Sequence, residues 1–131
     1  MTIRDLASNI SAGLSLSPSV RTTGTANGTS IDLQGFDSAA VVVAFGAYTD
    51  GTHTPSLEHS TNNSTWEAVG AADLMGGFTA VSSSGGANTV QEIGYLGSRR
   101  YVRVVMTVAT GASGAASAAL VIRGHAHRAS A

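Results

Sequence analysis

The chain has 131 residues, the length of a single domain, and apolar residues make up 43% of it, which excludes an intrinsically disordered protein. It contains no cysteine, so disulfide bonds and thiolate metal sites are excluded. Its 7 basic and 8 acidic residues give a net charge of −1, which argues against nucleic-acid binding because nucleic-acid binders normally carry a basic excess.

Residues 1–18 are the least strand-like part of the chain. The apolar residues Ile3, Leu6 and Ile10 are spaced three and four apart, which predicts a short helical turn that ends before Pro18. Two interpretations of this segment stay open: an arm that packs on another protein, or a frayed terminus. Neither a secretory signal nor an apolar run long enough to span a membrane is present, so we expect a soluble protein made in the cytoplasm.

From Val20 onwards, apolar and polar residues alternate with the period of two that is typical of β-strands. Glycine, asparagine and aspartate mark turns between the alternating segments. The pattern predicts about eight strands, and the clearest of them cover residues 31–33, 39–45, 55–60, 66–69, 89–96, 99–108 and 117–124.

The segment 39–45 is apolar on both of its faces. Val41, Val43 and Phe45 share one face, and Val42 shares the other face with alanines. We therefore expect a central strand that is covered on both sides. The frequent alanines on strand faces also indicate closely approaching sheets, or a surface that packs against another subunit.

These features predict an all-β protein: an antiparallel β-sandwich, jelly-roll-like, with about eight strands and an irregular N-terminal arm. We expect the arm over residues 1–18, the sandwich over 19–124 and a flexible tail over 125–131. The absence of helical patterns between the strands argues against a parallel α/β fold. The order of the strands, jelly roll or immunoglobulin-like, stays open.

The sequence carries no recognisable catalytic motif, and we predict that the protein is not an enzyme and has no cofactor. In an extended segment, the side chains of His125 and His127 would lie on the same face, where two imidazoles could bind one divalent metal ion. A metal site normally needs three or four ligands, and His53 and His59 are distant in sequence, so we predict no metal site. We interpret His125 and His127 as solvated, and His59 as a partly buried, hydrogen-bonded side chain.

Two further features allow a functional and a structural interpretation, and we favour the structural one in each case. Arg99, Arg100 and Arg103 form a local basic patch, which either contacts an acidic partner or pairs across strands with residues such as Glu92. Trp66 is the single tryptophan and follows a polar turn; it either presents a ring for sugar stacking or anchors the core.

Three segments together resemble a known family. They are IDLQGFDSAAVVV at residues 31–43, the stretch from DGT to LEHS at 50–60 (followed by Trp66 and AADL at 71–74), and GYLGSRRYVRV at 94–104. In this order and spacing they resemble small proteins of tailed bacteriophages and prophages whose genes lie in the head-morphogenesis cluster, close to that of the major capsid protein. The resemblance covers residues 20–124, and its motifs are strand and turn patterns.

The resemblance implies a virion structural protein, namely a capsid decoration (cement) protein that binds the outer surface of a phage head and stabilises it. Such proteins often sit as homotrimers at local threefold positions, so the expected partners are the major capsid protein and further copies of the chain, with no nucleic acid and no membrane. The expected location is the capsid surface, after synthesis in the host bacterial cytoplasm. His59 stands where an acidic residue is expected, so a cation site there is not implied.

We predict that the contacts to the capsid or to neighbouring subunits come from the N-terminal arm and from one sheet surface, through the side chains of Ile3, Arg4, Leu6, Ile10, Arg99, Tyr101 and Arg103. The alternative is a phage carbohydrate-binding module for host recognition that uses Trp66 as its platform.

Overall fold

A computed structural model describes residues 7–126 of the chain. Within this range the backbone forms ten β-strands and three single turns of 3₁₀-helix, the latter at residues 7–9, 71–73 and 84–86. None of the described helices is long and apolar enough to cross a membrane. The strands are β1 Ile10–Arg21, β2 Gly24–Asn27, β3 Ile31–Asp32, β4 Phe36–Tyr48, β5 Thr52–Ser60, β6 Glu67–Ala68, β7 Leu74–Met75, β8 Val90–Tyr95, β9 Tyr101–Ala109 and β10 Ala115–Ala126.

The strands form two antiparallel sheets, with the orders β1-β10-β4-β8-β7 and β2-β9-β5-β6, and β3 adds to β9. The pairing is nested: β1 pairs with β10, β2 with β9, β4 with β8, and β5 with β6. The first half of the chain therefore runs alongside the second half like a long hairpin that is wrapped into two layers, which is the jelly-roll arrangement. The predicted all-β sandwich is confirmed, and the strand order selects the jelly roll.

The core lies between the two sheets and is built from alternate residues of the long strands. Val41 and Val43 on β4 are completely buried, and they face Val102, Val104 and Met106 on β9, which are completely buried as well. Each side chain of this size contributes about 1.5–3 kcal/mol when it leaves water. The alternation along residues 99–108 predicts that Val102, Val104, Met106 and Val108 share one face, and the structure confirms this because all four are buried in the core.

The expected boundary of the N-terminal arm is wrong for residues 10–18, because they belong to β1 and pair with β10. The spacing of the apolar residues predicted a helical turn, but an extended segment gains backbone hydrogen bonds with β10 instead. Gly13 lets β1 pass close to β3, since a Cβ there would lie 2.8 Å from Cδ1 of Ile31. Pro18 is tolerated because β1 is an edge strand with register shifts in its second half.

The expected boundary of the C-terminal tail also moves. The last strand continues past residue 124 to Ala126, opposite Phe36 on β4. Residues 1–6 and 127–131, which include the predicted contact residues Ile3, Arg4 and Leu6, lie outside the described part of the chain.

One end of the sandwich is closed by hydrogen bonds between the β4–β5 and β9–β10 loops. The carboxylate of Asp50 accepts the backbone N–H groups of Ser113 (3.0 Å) and Gly114 (2.6 Å), and the carbonyl of Gly114 accepts the N–H of Thr49 (2.9 Å). Gly114 has a φ of 78°, and a Cβ at this position would overlap the carbonyl group of Arg21. The loop thus needs glycine both for its backbone conformation and for the close approach of β1.

We expect Gly114→Ala to lower the free energy of unfolding by about 3 kcal/mol, because the new methyl group meets backbone atoms at a positive φ. The matched control is Gly70→Ala, since Gly70 has an ordinary φ of −74° and open space around its Cβ position. Urea unfolding of both variants measures the difference. Equal stabilities for the two variants would contradict this account of the loop.

Candidate interaction surface

The outward face of the sheet β1-β10-β4-β8-β7, which we call the apolar face, is built almost entirely from apolar and small residues. The alternation that buries Val41 and Val43 points their neighbours on β4 outwards, and the strand register places the outward residues of the other four strands beside them. The apolar and small members are Ile10, Ala12, Leu14, Val20, Ala40, Val42, Ala44, Gly46, Met75, Val90, Gly94, Ala116, Ala118, Leu120, Ile122 and Gly124. Ser38 and Glu92 are polar members of this face, and His125 lies beside it within hydrogen-bond distance of Ser38.

This face is accessible to solvent. The exposed fraction is 47% for Leu14, 63% for Val20, 66% for Met75 and 62% for Val90. The expectation that the β4 strand is covered on both sides is therefore wrong for the described chain, because its second face, which includes Val42, stays only partly buried. The alternative, that alanine-rich strand faces form a surface for another subunit, stays a prediction.

The outward face of the other sheet is different. It carries polar residues in register across β2, β9 and β5: Thr25 and Thr54 flank Thr107, and Glu58 lies opposite Arg103. This polarity is the normal state of a sheet surface in water. The contrast between the two sheets shows that the apolar face is a local property of one sheet and does not follow from the composition of the chain.

The apolar face has relief. Leu14 on β1 lies opposite Leu120 on β10, and these two side chains form a ridge across the sheet. Towards the end of the strands, where Gly124 lies opposite Ser38, a groove of about 840 Å³ opens. Its lining combines apolar side chains such as Ile10 and Ile122 with polar ones such as Ser38 and His125. Of the predicted arm residues, Ile10 is thus the one that the structure places on this face.

The predicted basic patch lies on the opposite sheet and is paired within the chain. Arg103 binds the carboxylate of Glu58 at 2.7 Å, and Arg99 binds that of Glu67 at 3.4 Å. These arginines are therefore paired within the chain. The suggested partner Glu92 is wrong, because Glu92 lies on β8 in the other sheet. A contact role for Arg99, Tyr101 and Arg103 stays a prediction.

The neighbouring Arg100 forms two hydrogen bonds with Asp32, at 2.9 and 2.8 Å, and its guanidinium lies 5.0 Å from the centre of the Tyr101 ring. The hydrogen bonds from Arg100 lower the pKa of Asp32 to about 2. Each arginine of the patch is thus part of an ion pair, which reduces the positive charge that the patch presents to a partner.

Trp66 is half-buried at the surface, so its interpretation as a core anchor is wrong. The guanidinium carbon of Arg103 lies 4.4 Å from the centre of its ring, which is a cation–π contact. Arg103 thus covers one face of the ring while it is also paired with Glu58. The sequence contains no signal for this contact, because it depends on the β6 hairpin that brings Trp66 over β9.

The described histidines have separate structural roles. His53 is completely buried, and its Nε2 lies 3.0 Å from the carbonyl oxygen of Asp50. The Nδ1 of His125 lies 2.6 Å from the hydroxyl of Ser38, whereas His127 lies outside the described residues. Among residues 7–126, no cluster of three or more histidine, aspartate or glutamate side chains is arranged to hold a metal ion.

His59 and Tyr95 form a buried pair between the sheets, so the prediction of a buried, hydrogen-bonded His59 is confirmed. The hydroxyl of Tyr95 lies 2.8 Å from Nδ1 of His59 and also accepts the backbone N–H of Arg99 at 3.2 Å. A phenol oxygen can accept one hydrogen bond and donate another, so the contact fits a neutral imidazole whose Nδ1 accepts the proton of the Tyr95 hydroxyl. Burial lowers the pKa of His59, and the positive charge of Arg99 lowers it further. The negative charges of Asp73 and Glu67 act in the opposite direction.

A comparison with profiles of known protein families finds no match to this chain, and a comparison with curated protein sequences finds none either.

We predict that His59 makes the fold less stable in acid. Its pKa is lowered in the folded state, so the unfolded chain takes up the proton first as the pH falls below the ordinary histidine value of about 6.5. The neutral pair of His59 and Tyr95 makes its full contribution to the free energy of unfolding above that pH, and this contribution declines below it. The measurement is urea unfolding at pH about 7.5 and about 5, for the wild type and for His59→Gln, which keeps an acceptor for Tyr95 but does not titrate. If the free energy of unfolding falls by the same amount in both proteins between the two pH values, the prediction is contradicted.

We predict that Arg103 shields Trp66. Because the chain has one tryptophan, its fluorescence reports on this ring alone. Arg103→Ala should increase quenching by acrylamide and reduce stability by about 1 kcal/mol through loss of the ring contact and the ion pair. Arg100→Ala is the matched control, since Arg100 is also paired and stacked, but on Asp32 and Tyr101. If both variants quench alike, the contact with Trp66 does not persist in solution.

Proposed function

We propose that the protein is a non-enzymatic structural protein of the virion that decorates the outer surface of a tailed-phage head and stabilises it. The observation that carries this proposal is the apolar face. A protein that exposes a continuous apolar surface of several hundred Å² gains free energy when another protein covers that surface. The protein therefore functions in an assembly.

The scaffold suits this role. The apolar face is supported by five hydrogen-bonded strands whose inward residues are packed in a common core. Such a surface loses little conformational freedom on binding, so more of the contact energy remains as affinity. On a shell with many equivalent positions, weak single contacts also add up through multivalency when the copies are linked to one another.

The ionisable residues support a structural role over a catalytic one. Asp32, Glu58 and Glu67 are engaged with arginines at the surface, and Asp50 caps backbone N–H groups of a loop. The Nδ1 atom of the buried His59 is engaged by the hydroxyl of Tyr95. These residues are spread over different parts of the sandwich, whereas acid–base chemistry needs them close together around a cleft.

The choice of partner rests on the resemblance of residues 20–124 to proteins of the phage head cluster. That resemblance points to the major capsid protein as the surface that is decorated. The expected trimer stays a prediction at this point.

Carbohydrate binding is the second candidate, and the half-buried Trp66 is the observation that favours it. A ring that is partly open to solvent at the end of a polar turn is a usual platform for sugars. Arg103 already covers one face of the ring, so only the other face is available. Glycans that shift the Trp66 fluorescence, together with a loss of glycan binding by Trp66→Ala in isothermal titration calorimetry, would favour the second candidate over the first.

The proposed function is tested by binding the purified protein to undecorated heads of the phage that encodes it. We expect the wild type to bind, and Leu14→Glu to bind at least about tenfold more weakly, because a charge replaces an apolar side chain of the apolar face. Thr107→Glu is the matched control: it places the same charge at an exposed position on the outward face of the other sheet. Absence of wild-type binding to the heads would refute the proposed function.

A further inference from the structure

We propose that the buried pair of His59 and Tyr95 is a pH-sensitive switch, which keeps the loop of residues 96–100 closed at neutral pH and lets it open locally when His59 takes up a proton. This loop, which we call the 96–100 loop, connects β8 to β9. The switch is independent of the proposed function, because it depends on contacts within one chain. It also differs from the loss of global stability predicted above, because the sandwich itself stays folded.

The 96–100 loop is attached to the hydroxyl group of Tyr95. The backbone N–H of Arg99 donates to this hydroxyl at 3.2 Å. A Cβ on Gly97 would overlap the same hydroxyl, so this position of the loop needs a glycine. The loop therefore wraps closely around the end of the Tyr95 side chain.

The same hydroxyl is attached to His59. It lies 2.8 Å from Nδ1 of His59, and the two rings are in edge contact with their centres 5.8 Å apart. In the neutral state the hydroxyl donates to Nδ1 and accepts the N–H of Arg99, so its donor and its acceptor are both used. His59 lies on β5 and Tyr95 on β8, so this chain of contacts connects the loop to the opposite sheet.

A proton on Nδ1 of His59 disrupts this chain of contacts. The protonated Nδ1 becomes a donor, so the Tyr95 hydroxyl then faces two N–H donors while its own proton loses its acceptor. A buried donor without a partner is unfavourable, and so is a buried imidazolium. Both costs are removed when the loop opens and water reaches the two side chains. Protonation therefore favours the open loop.

The charged groups that act on His59 lie on the loop, on β6 and on the second 3₁₀ turn. Burial lowers the pKa of His59, and the positive charge of Arg99 lowers it further, whereas Asp73 and Glu67 raise it. The strand β9 contributes the apolar Val102 opposite His59. The net effect of these surroundings is that the closed loop favours the neutral imidazole.

The loop can open without unfolding the sandwich. Its other attachments include an ion pair of Arg99 with Glu67 at 3.4 Å, which is exposed to solvent and therefore weak. The N–H of Leu96 also donates to the carbonyl of Asp73 at 2.7 Å. The completely buried Val104 lies further along β9, in the core between the sheets. Opening of the loop is thus a local event of the kind that hydrogen exchange detects.

Opening of the loop changes the surface around the predicted contact patch. A groove of about 520 Å³ lies between the loop and residues 33–39, and Arg99 and Arg100 are among the residues that line it. An open loop widens this groove and separates Arg99 from Glu67. Acid therefore alters both the shape and the charge that this part of the molecule presents to a partner.

The test is amide hydrogen exchange of the full-length protein, followed by NMR at pH about 7.5 and about 5 and expressed as protection factors. An imidazole that titrates near 6.5 only in the open loop favours opening about tenfold for each pH unit below that value. We therefore expect the protection factor of the Arg99 amide to fall at least about tenfold. The amide of Val104, which donates to Ser15 Oγ at 2.9 Å, reports on global unfolding. Dilute urea should accelerate the exchange of Val104 and leave that of Arg99 unchanged.

Two variants separate the switch from other effects of acid. His59→Gln keeps an acceptor for the Tyr95 hydroxyl but takes up no proton, so its Arg99 protection factor should be the same at both pH values. Tyr95→Phe removes the hydroxyl that holds Arg99, so the protection factor should already be low at neutral pH. The matched control is His125→Gln, because His125 is an exposed histidine outside the loop. This control should keep the pH dependence of the wild type.

The proposal is overturned if the Arg99 protection factor of the wild type is the same at both pH values, or if His59→Gln retains the fall. It is also overturned if urea accelerates the exchange of Arg99 as much as that of Val104. Acid would then act on the whole fold, and the loss of global stability would stand without a local switch. Binding to undecorated heads at neutral pH tests the proposed function separately.

Discussion

A sandwich of two sheets can cover only the inward face of each sheet. The strands β4 and β10 are apolar on both faces, but the fold uses only one of them, through residues such as Val41 and Val121. The other face, with Val42 and Leu120, stays partly exposed in the described chain. We propose that this surplus of apolar residues in the two central strands gives the domain its surface for an assembly.

The nested pairing of the jelly roll decides where this surplus lies. Because β10 is placed between β1 and β4, the apolar outward residues of three long strands come together in one surface. The same pairing collects threonines, Glu58 and Arg103 on the outside of the other sheet. The molecule thus has two unlike surfaces on opposite sides, one apolar and one polar.

The polar residues of the structure stabilise the domain locally. Asp50 joins two loops at one end of the sandwich, the pair of His59 and Tyr95 is buried between the sheets, and Arg103 links Glu58 to the ring of Trp66. Each of these groups is satisfied within the chain. The sequence suggested a contact patch at the arginines because three charges lie close together along one strand, but their acidic partners come from β3, β5 and β6.

Because the alternation of side chains along a strand is a local property, the all-β class, the inward set of β9 and the apolar character of both faces around Val42 can be predicted from the sequence alone. The folded chain was needed to establish the jelly-roll order, the inclusion of residues 10–18 in β1, the positions of Trp66 and the arginines, and the exposure of the apolar face. Strand partners such as Ile10 and Gly124 lie at opposite ends of the chain. Their pairing follows from the balance of backbone hydrogen bonds and core packing over the whole molecule, which no local pattern records.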